Sequence, residues 1–140
     1  MSRAVIIGAL DGVHLGHAAL VKAARAAVGE RGTVTALTFE PHPLAVLRPG
    51  SEPPRISTLG QRRHWLKAAG ADEVEALEPT PALLRQSPRE FIAWMVSRHA
   101  PQFIVEGSDF RVCVSSHRRA EHRERADMER LACLSLAVRP

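Results

Sequence analysis

The chain has 140 residues, 45% of them hydrophobic, a formal charge of +4 and two cysteines. That length suits one domain with a core of its own. With no run of eighteen apolar residues, the sequence offers no membrane-spanning helix, and Cys113 and Cys133, far apart and without a CxxC, argue against a disulfide framework or a zinc site. The opening MSRAVIIGALDG reads as a strand and not a signal peptide, so a cytoplasmic protein is expected. Residues 1–110 are close to neutral, with 12 basic and 11 acidic side chains, whereas residues 111–140 hold seven Arg and four acids. The basic excess therefore sits in the tail, where a nucleic-acid contact is one reading. An arginine-rich coding sequence is the other, since 17 of the 19 basic residues are Arg.

AVIIGAL is a short apolar run ending at glycine and predicts a buried parallel strand. HAALVKAARAAV predicts a helix whose apolar face carries Leu20, Ala24, Ala27 and Val28, closed by Gly29 and Gly32. TVTALTF, rich in β-branched residues, is the second strand. EPHPLAVLRPGSEPPR holds five of the ten prolines and predicts a loop with no regular element. TLGQRRHWLKAAG opens with Thr58 three before Gln61, a capping box, and should bury Leu59, Trp65, Leu66 and Ala69. DEVEAL is a third strand. SPREFIAWMVSRH starts a helix in the clearest way in the chain, with Ser87, Pro88 at the first helical position and Glu90; Phe91, Trp94 and Met95 form its buried stripe. QFIVEG is a fourth strand.

Strand and helix alternate throughout, which predicts an α/β fold: a Rossmann-like parallel sheet with helices on both faces. Ligands in such sheets bind at the carboxyl ends of the strands. Gly8–Gly16, Phe39–Pro43 and Glu106–Phe110 each follow a strand, so all three should gather on one rim. In GALDGVHLGH, His14 falls near the start of a helix and His17 one turn further, on the same side. Both imidazoles then lie by the free N–H groups of a helix N-terminus, a natural seat for an anion. Gly12 and Gly16 leave room for a bulky phosphate to reach the backbone. Phosphoryl and nucleotidyl transfers need mainly this positioning and charge stabilisation. A glycine turn with two half-exposed histidines is the plain alternative. Zinc has little support, because no third ligand and no HExxH is present.

These residues carry a resemblance. GALDGVHLGH resembles the G-x-F-D-G-x-H-x-G-H signature of the HxGH nucleotidyltransferase superfamily. TFEPHP at Thr38–Pro43 and EGSDF at Glu106–Phe110 resemble the second and third motifs of the FAD synthetase module of bacterial bifunctional riboflavin kinase/FAD synthetases, in the same order, and SPREFI resembles the stretch before the third. The likeness covers about residues 4–111. It implies an adenylyltransferase that joins FMN and ATP into FAD and pyrophosphate with Mg2+, on a nucleotidyltransferase domain at residues 1–111. By the same implication His14 and His17 contact the ATP phosphates and are catalytic. Gly8, Asp11, Gly12 and Gly16 shape the phosphate turn, His42 lies near the phosphate site, and Asp109 and Phe110 line the flavin and metal side.

The chain departs from that family in places. Leu10 stands for Phe and Ala9 for a frequent Asn; leucine still fills an apolar slot, while Ala9 removes a side-chain hydrogen bond. After Arg111 the expected Phe-Gly is Val112-Cys113, and the later S-S-T-x-x-R has no counterpart, SSHRR at Ser115–Arg119 coming too soon after Asp109. No riboflavin kinase module is seen within these residues. Residues 112–140 read either as an Arg-rich helix with mixed charges or as a stretch translated out of frame. An inactive fragment, a module that binds nucleotide or nucleic acid, and transfer to another phosphate substrate are the rival readings. The tail has no aromatic residue to stack single-stranded bases, so nucleic acid is the weaker partner.

Overall fold

The computed structural model describes residues 1–106. The predictions for Asp109, Phe110, the cysteines and the 112–140 tail lie outside the described residues. Four strands, β1 (Arg3–Gly8), β2 (Thr33–Phe39), β3 (Glu73–Leu77) and β4 (Phe103–Ile104), form one parallel sheet in the order β3-β2-β1-β4. Helix α1 (Leu15–Val28) links β1 to β2; α2 (Pro43–Leu47) and α3 (Leu59–Ala68) link β2 to β3; α4 (Pro81–Leu84) and α5 (Pro88–His99) link β3 to β4. The chain thus moves outward from β1 through β2 to β3, then crosses back to place β4 on the other side of β1. That reversal beside β1 is the topological switch point, where such sheets open a crevice at their carboxyl ends.

Alternation along the strands builds a core on each face. Ala4, Ile6, Val34 and Ala36 point to the face covered by Val21 and Ala24 of α1 and Leu66 of α3. Val5, Ile7, Leu37 and Ile104 point to the face covered by Phe91 and Met95 of α5. Each fully buried large side chain contributes about 1.5–3 kcal/mol relative to exposure. The α1 stripe is turned slightly from the expected one: Val21 and Ala24 are buried, while Leu20, Ala27 and Val28 are only partly so.

The helix starts follow their caps. Thr58 and Ser87 both close capping boxes, with Gln61 and Glu90 respectively. Two expectations fail. The proline-rich segment after β2 does hold a regular element, α2, because Pro43 occupies the first helical turn behind the capping residue His42. Thr80 and Pro81 start α4 in the same way; proline breaks helix interiors but suits their first turn. Trp65 is 38% exposed, not buried, and the polar residue beside it on the inner face, Arg62, is 3% exposed. Trp94, by contrast, is packed against Phe91 (ring centroids 5.7 Å apart) and His99 (6.3 Å), with the Arg98 guanidinium above it.

Candidate active site

The turn that leaves β1 is tightly wound. Leu10 (φ 49°), Gly12 (φ 75°) and Val13 (φ 41°) all have left-handed backbones around a 3-10 turn at Asp11–Val13. Only glycine adopts that region freely, so Leu10 and Val13 hold strain that the surroundings must offset. Two contacts do so. Leu10 is 3% exposed and joins the core, filling the apolar slot expected of it. Asp11 accepts from the amides of Ile56 (2.8 Å) and Ser57 (2.9 Å) and from the Ser57 hydroxyl, while the Gly12 amide donates to Ser57 Oγ (2.9 Å). Burial pushes the Asp11 carboxyl up, but the Ser57 hydroxyl, the two amides and the Arg62 charge together outweigh it and hold the group below its usual range. Asp11 therefore pins the segment ahead of α3 to the phosphate turn.

His14 is the N-cap of α1. Its Nδ1 accepts from the amides of Gly16 (3.0 Å) and His17 (3.4 Å), and its carbonyl accepts from Ala18 N (3.0 Å). A ring that accepts at Nδ1 carries its proton on Nε2 when neutral. The His17 ring stacks on it, with centroids 3.6 Å apart and planes at 19°. Gly16 explains the spacing: a Cβ there would lie 2.9 Å from His14 Cε1 and 3.1 Å from Nδ1, so only glycine lets the ring fold back over the helix start. One expectation changes here. The amides of residues 16 and 17 are not free for an anion in this state, because His14 already occupies them.

The exit of β2 lies alongside. His42 caps α2 by accepting from Leu44 N at 3.1 Å. Together with Ala9, Asp11 and Phe39 it lines a cavity of about 450 Å³, walled on the far side by Pro53, Pro54 and Arg55. Asp11 and His42 are thus brought to one cavity; His14 and His17 sit at the head of α1 and are not part of its lining. The floor is Arg62, a residue not singled out from sequence. Its Nη1 donates to Ala9 O (3.1 Å), Thr38 Oγ1 (3.0 Å) and Phe39 O (3.0 Å), and its Nη2 to Glu40, which also receives Arg55. A signal was there: position 62 lies three after Leu59 and four before Leu66, on the face assigned to the core. Ala9 also accepts the Thr38 hydroxyl at 2.8 Å, so at this position the backbone supplies the link between the two turns.

On the third turn, Glu106 returns its carboxylate to the sheet, accepting from Ile7 N at 2.7 Å where the β1–β4 ladder has ended. The first two motif-bearing turns gather on one rim with Glu106, and the rest of the third motif lies outside the described residues. The fit of magnesium can be tested on the donors present. Among the described residues no three His, Cys, Asp or Glu side chains gather as a metal site. Asp11 is committed to Ile56 and Ser57, so no described residue is assigned to magnesium and no step is derived through it. No helix among the described residues is long and apolar enough to cross a membrane.

Known proteins similar to this chain identify its family. The FAD synthetase family profile matches residues 1–132. A bifunctional riboflavin kinase/FMN adenylyltransferase of Listeria monocytogenes is 32% identical over 113 residues, 79% of this chain and 36% of its own length. An FAD synthetase of the same organism is 31% identical over 112 residues, 78% of this chain and 46% of its own. The bifunctional enzyme of Escherichia coli is 30% identical over 107 residues, 75% of this chain and 34% of its own. This chain therefore spans a third to a half of the length of these curated relatives. A crystal structure of a macrolide-efflux protein from Streptococcus pneumoniae superposes with a TM-score of 0.67 at 26% identity, over 78% of this chain and 37% of that one. With a profile match over most of its length, the chain belongs to the FAD synthetase family.

Proposed function

We propose that the chain is an FMN adenylyltransferase: a phosphate oxygen of FMN attacks the α-phosphorus of ATP, the bond from that phosphorus to the bridging oxygen breaks, and FAD and pyrophosphate leave. The observation that carries this reading is the stacked His14–His17 pair at the head of α1, at the carboxyl rim of a parallel sheet and beside its switch point. An approaching triphosphate meets the two stacked rings with the His14 ring still folded over the helix start. The helix end and two imidazoles then face the charge that grows on the leaving pyrophosphate. Gly8, Asp11, Gly12 and Gly16 keep the turn tight enough for that approach.

In this reading the proline- and phenylalanine-walled cavity takes the flavin, with His42 at its edge near the shared phosphates, and Asp109 and Phe110 belong to the flavin and metal side. Residues 1–111 form the nucleotidyltransferase domain, FMN and ATP are the partners in a cytoplasmic reaction, and Mg2+ travels with the ATP phosphates, as it does when few protein ligands are available. The test mixes purified protein with FMN, ATP and Mg2+ and follows FAD and pyrophosphate by chromatography, with His14→Ala and His17→Ala beside it. FAD that disappears in both variants supports the reading; no FAD from a well-folded chain refutes it.

A further inference from the structure

Arg62 is 3% exposed and the Glu40 it binds is largely buried, yet neither belongs to the glycine–histidine signature. Its guanidinium reaches the backbone just after β1 (Ala9 O), the end of β2 (Thr38 Oγ1 and Phe39 O) and, through Glu40, the residue two before His42. Ala9 and His42 lie on the two turns that carry the first and second motifs. No backbone ladder joins those turns past Gly8 and Thr38, the last registered pair of β1 and β2. Past that pair the Thr38 hydroxyl reaches Ala9 O, and the Arg62 guanidinium ties Ala9 O, Thr38 Oγ1, Phe39 O and Glu40 together where the sheet stops and the site begins.

We propose that Arg62 is a positioning residue that sets the spacing between the His14–His17 turn and the His42 turn for adenylyl transfer, acting through Glu40; the catalytic part of this rests on the function proposed above. The geometry asks for arginine. Nη1 faces Ala9 O, Thr38 Oγ1 and Phe39 O while Nη2 faces Glu40, and the single nitrogen of a lysine ammonium on its flexible stem cannot stand at both places. Arg55, which also lines the cavity, grips the other Glu40 oxygen, so the carboxylate is held by two guanidiniums. Misplacing reacting groups by about 1 Å costs on the order of 100-fold in rate. A loosened Arg62 should therefore appear in kcat before it appears in ground-state binding.

The experiment compares the full chain with Arg62→Lys and Glu40→Gln, each first checked for cooperative melting. The Hε1–Cε1 resonance of the His42 ring is read by NMR, with His99, at the opposite end of the sheet, as the control. The expected result is a displaced His42 signal and an unmoved His99 signal in both variants. With FMN, ATP and Mg2+, kcat should fall at least about 10-fold while KM for ATP stays within about two-fold. An unmoved His42 signal, or a displaced one with unchanged kcat, overturns the proposal. If the unaltered chain makes no FAD, the functional reading fails, and the His42 signal still decides whether Arg62 sets the turn. If Arg62→Lys does not fold, Glu40→Gln decides, with Arg55→Gln beside it to subtract the second ion pair that Glu40 makes. Unfolding of both would make the pair a stability element and overturn the positioning role.

Discussion

Replacing Gly16 by alanine separates the stability of this site from its chemistry. The added Cβ would stand 2.9 Å from His14 Cε1, too close for the ring to keep its place. His14 must rotate away, releasing the amides of Gly16 and His17 and leaving the His17 ring without its stacking partner. Loss of an N-cap costs about 1 kcal/mol, with a range of roughly 0.5–2. Alanine in place of glycine inside a helix returns up to about 1 kcal/mol. The two nearly cancel, so the net change should stay within about 1 kcal/mol, or about 4 °C in Tm for a domain of this size. Transfer should fall far more, by at least about 10-fold, because the imidazole at the phosphate turn is displaced. Thermal melting and the FAD-forming assay on the same preparation read the two numbers. A variant that makes FAD at the unaltered rate would show that the folded-back ring has no part in the chemistry; a fall in Tm well beyond 4 °C would show that the cap matters mainly to the fold.

Other outcomes follow from the same geometry. His14→Ala and His17→Ala should each abolish FAD formation while FMN binding, followed by flavin fluorescence, largely survives; loss of binding in either would refute a role confined to the phosphates. Gly32→Ala would set a Cβ 2.4 Å from Val28 Cβ and 2.6 Å from its carbonyl oxygen, and such crowding should lower stability by about 1–3 kcal/mol in denaturant titration. Ser87→Ala removes the cap that accepts Glu90 N at 3.2 Å and should cost about 1 kcal/mol, a Tm fall of about 4 °C without change in catalytic constants. The His99 ring is 7% exposed, and burial, aided by Arg98 and opposed by Glu75, lowers its pKa from the usual range. The unfolded chain then binds the extra proton first, so stability should fall as the pH drops below about 6.5. Melts between pH 7 and 5 should show this loss, reduced in His99→Gln, and an equal pH dependence in that variant would assign it elsewhere.

The parts of the fold legible in the sequence are those set by neighbours along the chain. A continuous apolar run marks β1 and a β-branched run marks β2, both buried along their interiors, and the capping boxes at Thr58 and Ser87 mark the starts of α3 and α5 to the residue. Proline misled where it was counted and not placed: Pro43 begins a helix because it follows a residue whose side chain caps the turn. For the site, the histidine spacing was legible, but the folded-back ring was not, since histidine is seldom read as a cap. Asp11 was legible as part of a turn, yet its partners Ile56 and Ser57 lie 45 and 46 positions away, a distance that no local pattern encodes. Arg62 stood between, visible as a charge on an apolar stripe whose acceptors only the folded sheet supplies.

The two tryptophans have a spectroscopic consequence. The chain has no tyrosine, so its near-ultraviolet emission comes from Trp65 and Trp94 alone. Trp65 stands 38% exposed on α3, three residues past the Arg62 that floors the cavity, whereas Trp94 lies among Phe91, His99 and Arg98 on the far face of the sheet. A soluble quencher should reach the first and spare the second. A Trp65→Phe variant would then leave one indole whose emission reports the packing of α5, and a Trp94→Phe variant one whose emission reports events beside the cavity that Arg62 lines. The molecule thus carries two built-in optical reporters, one for each face of the sheet.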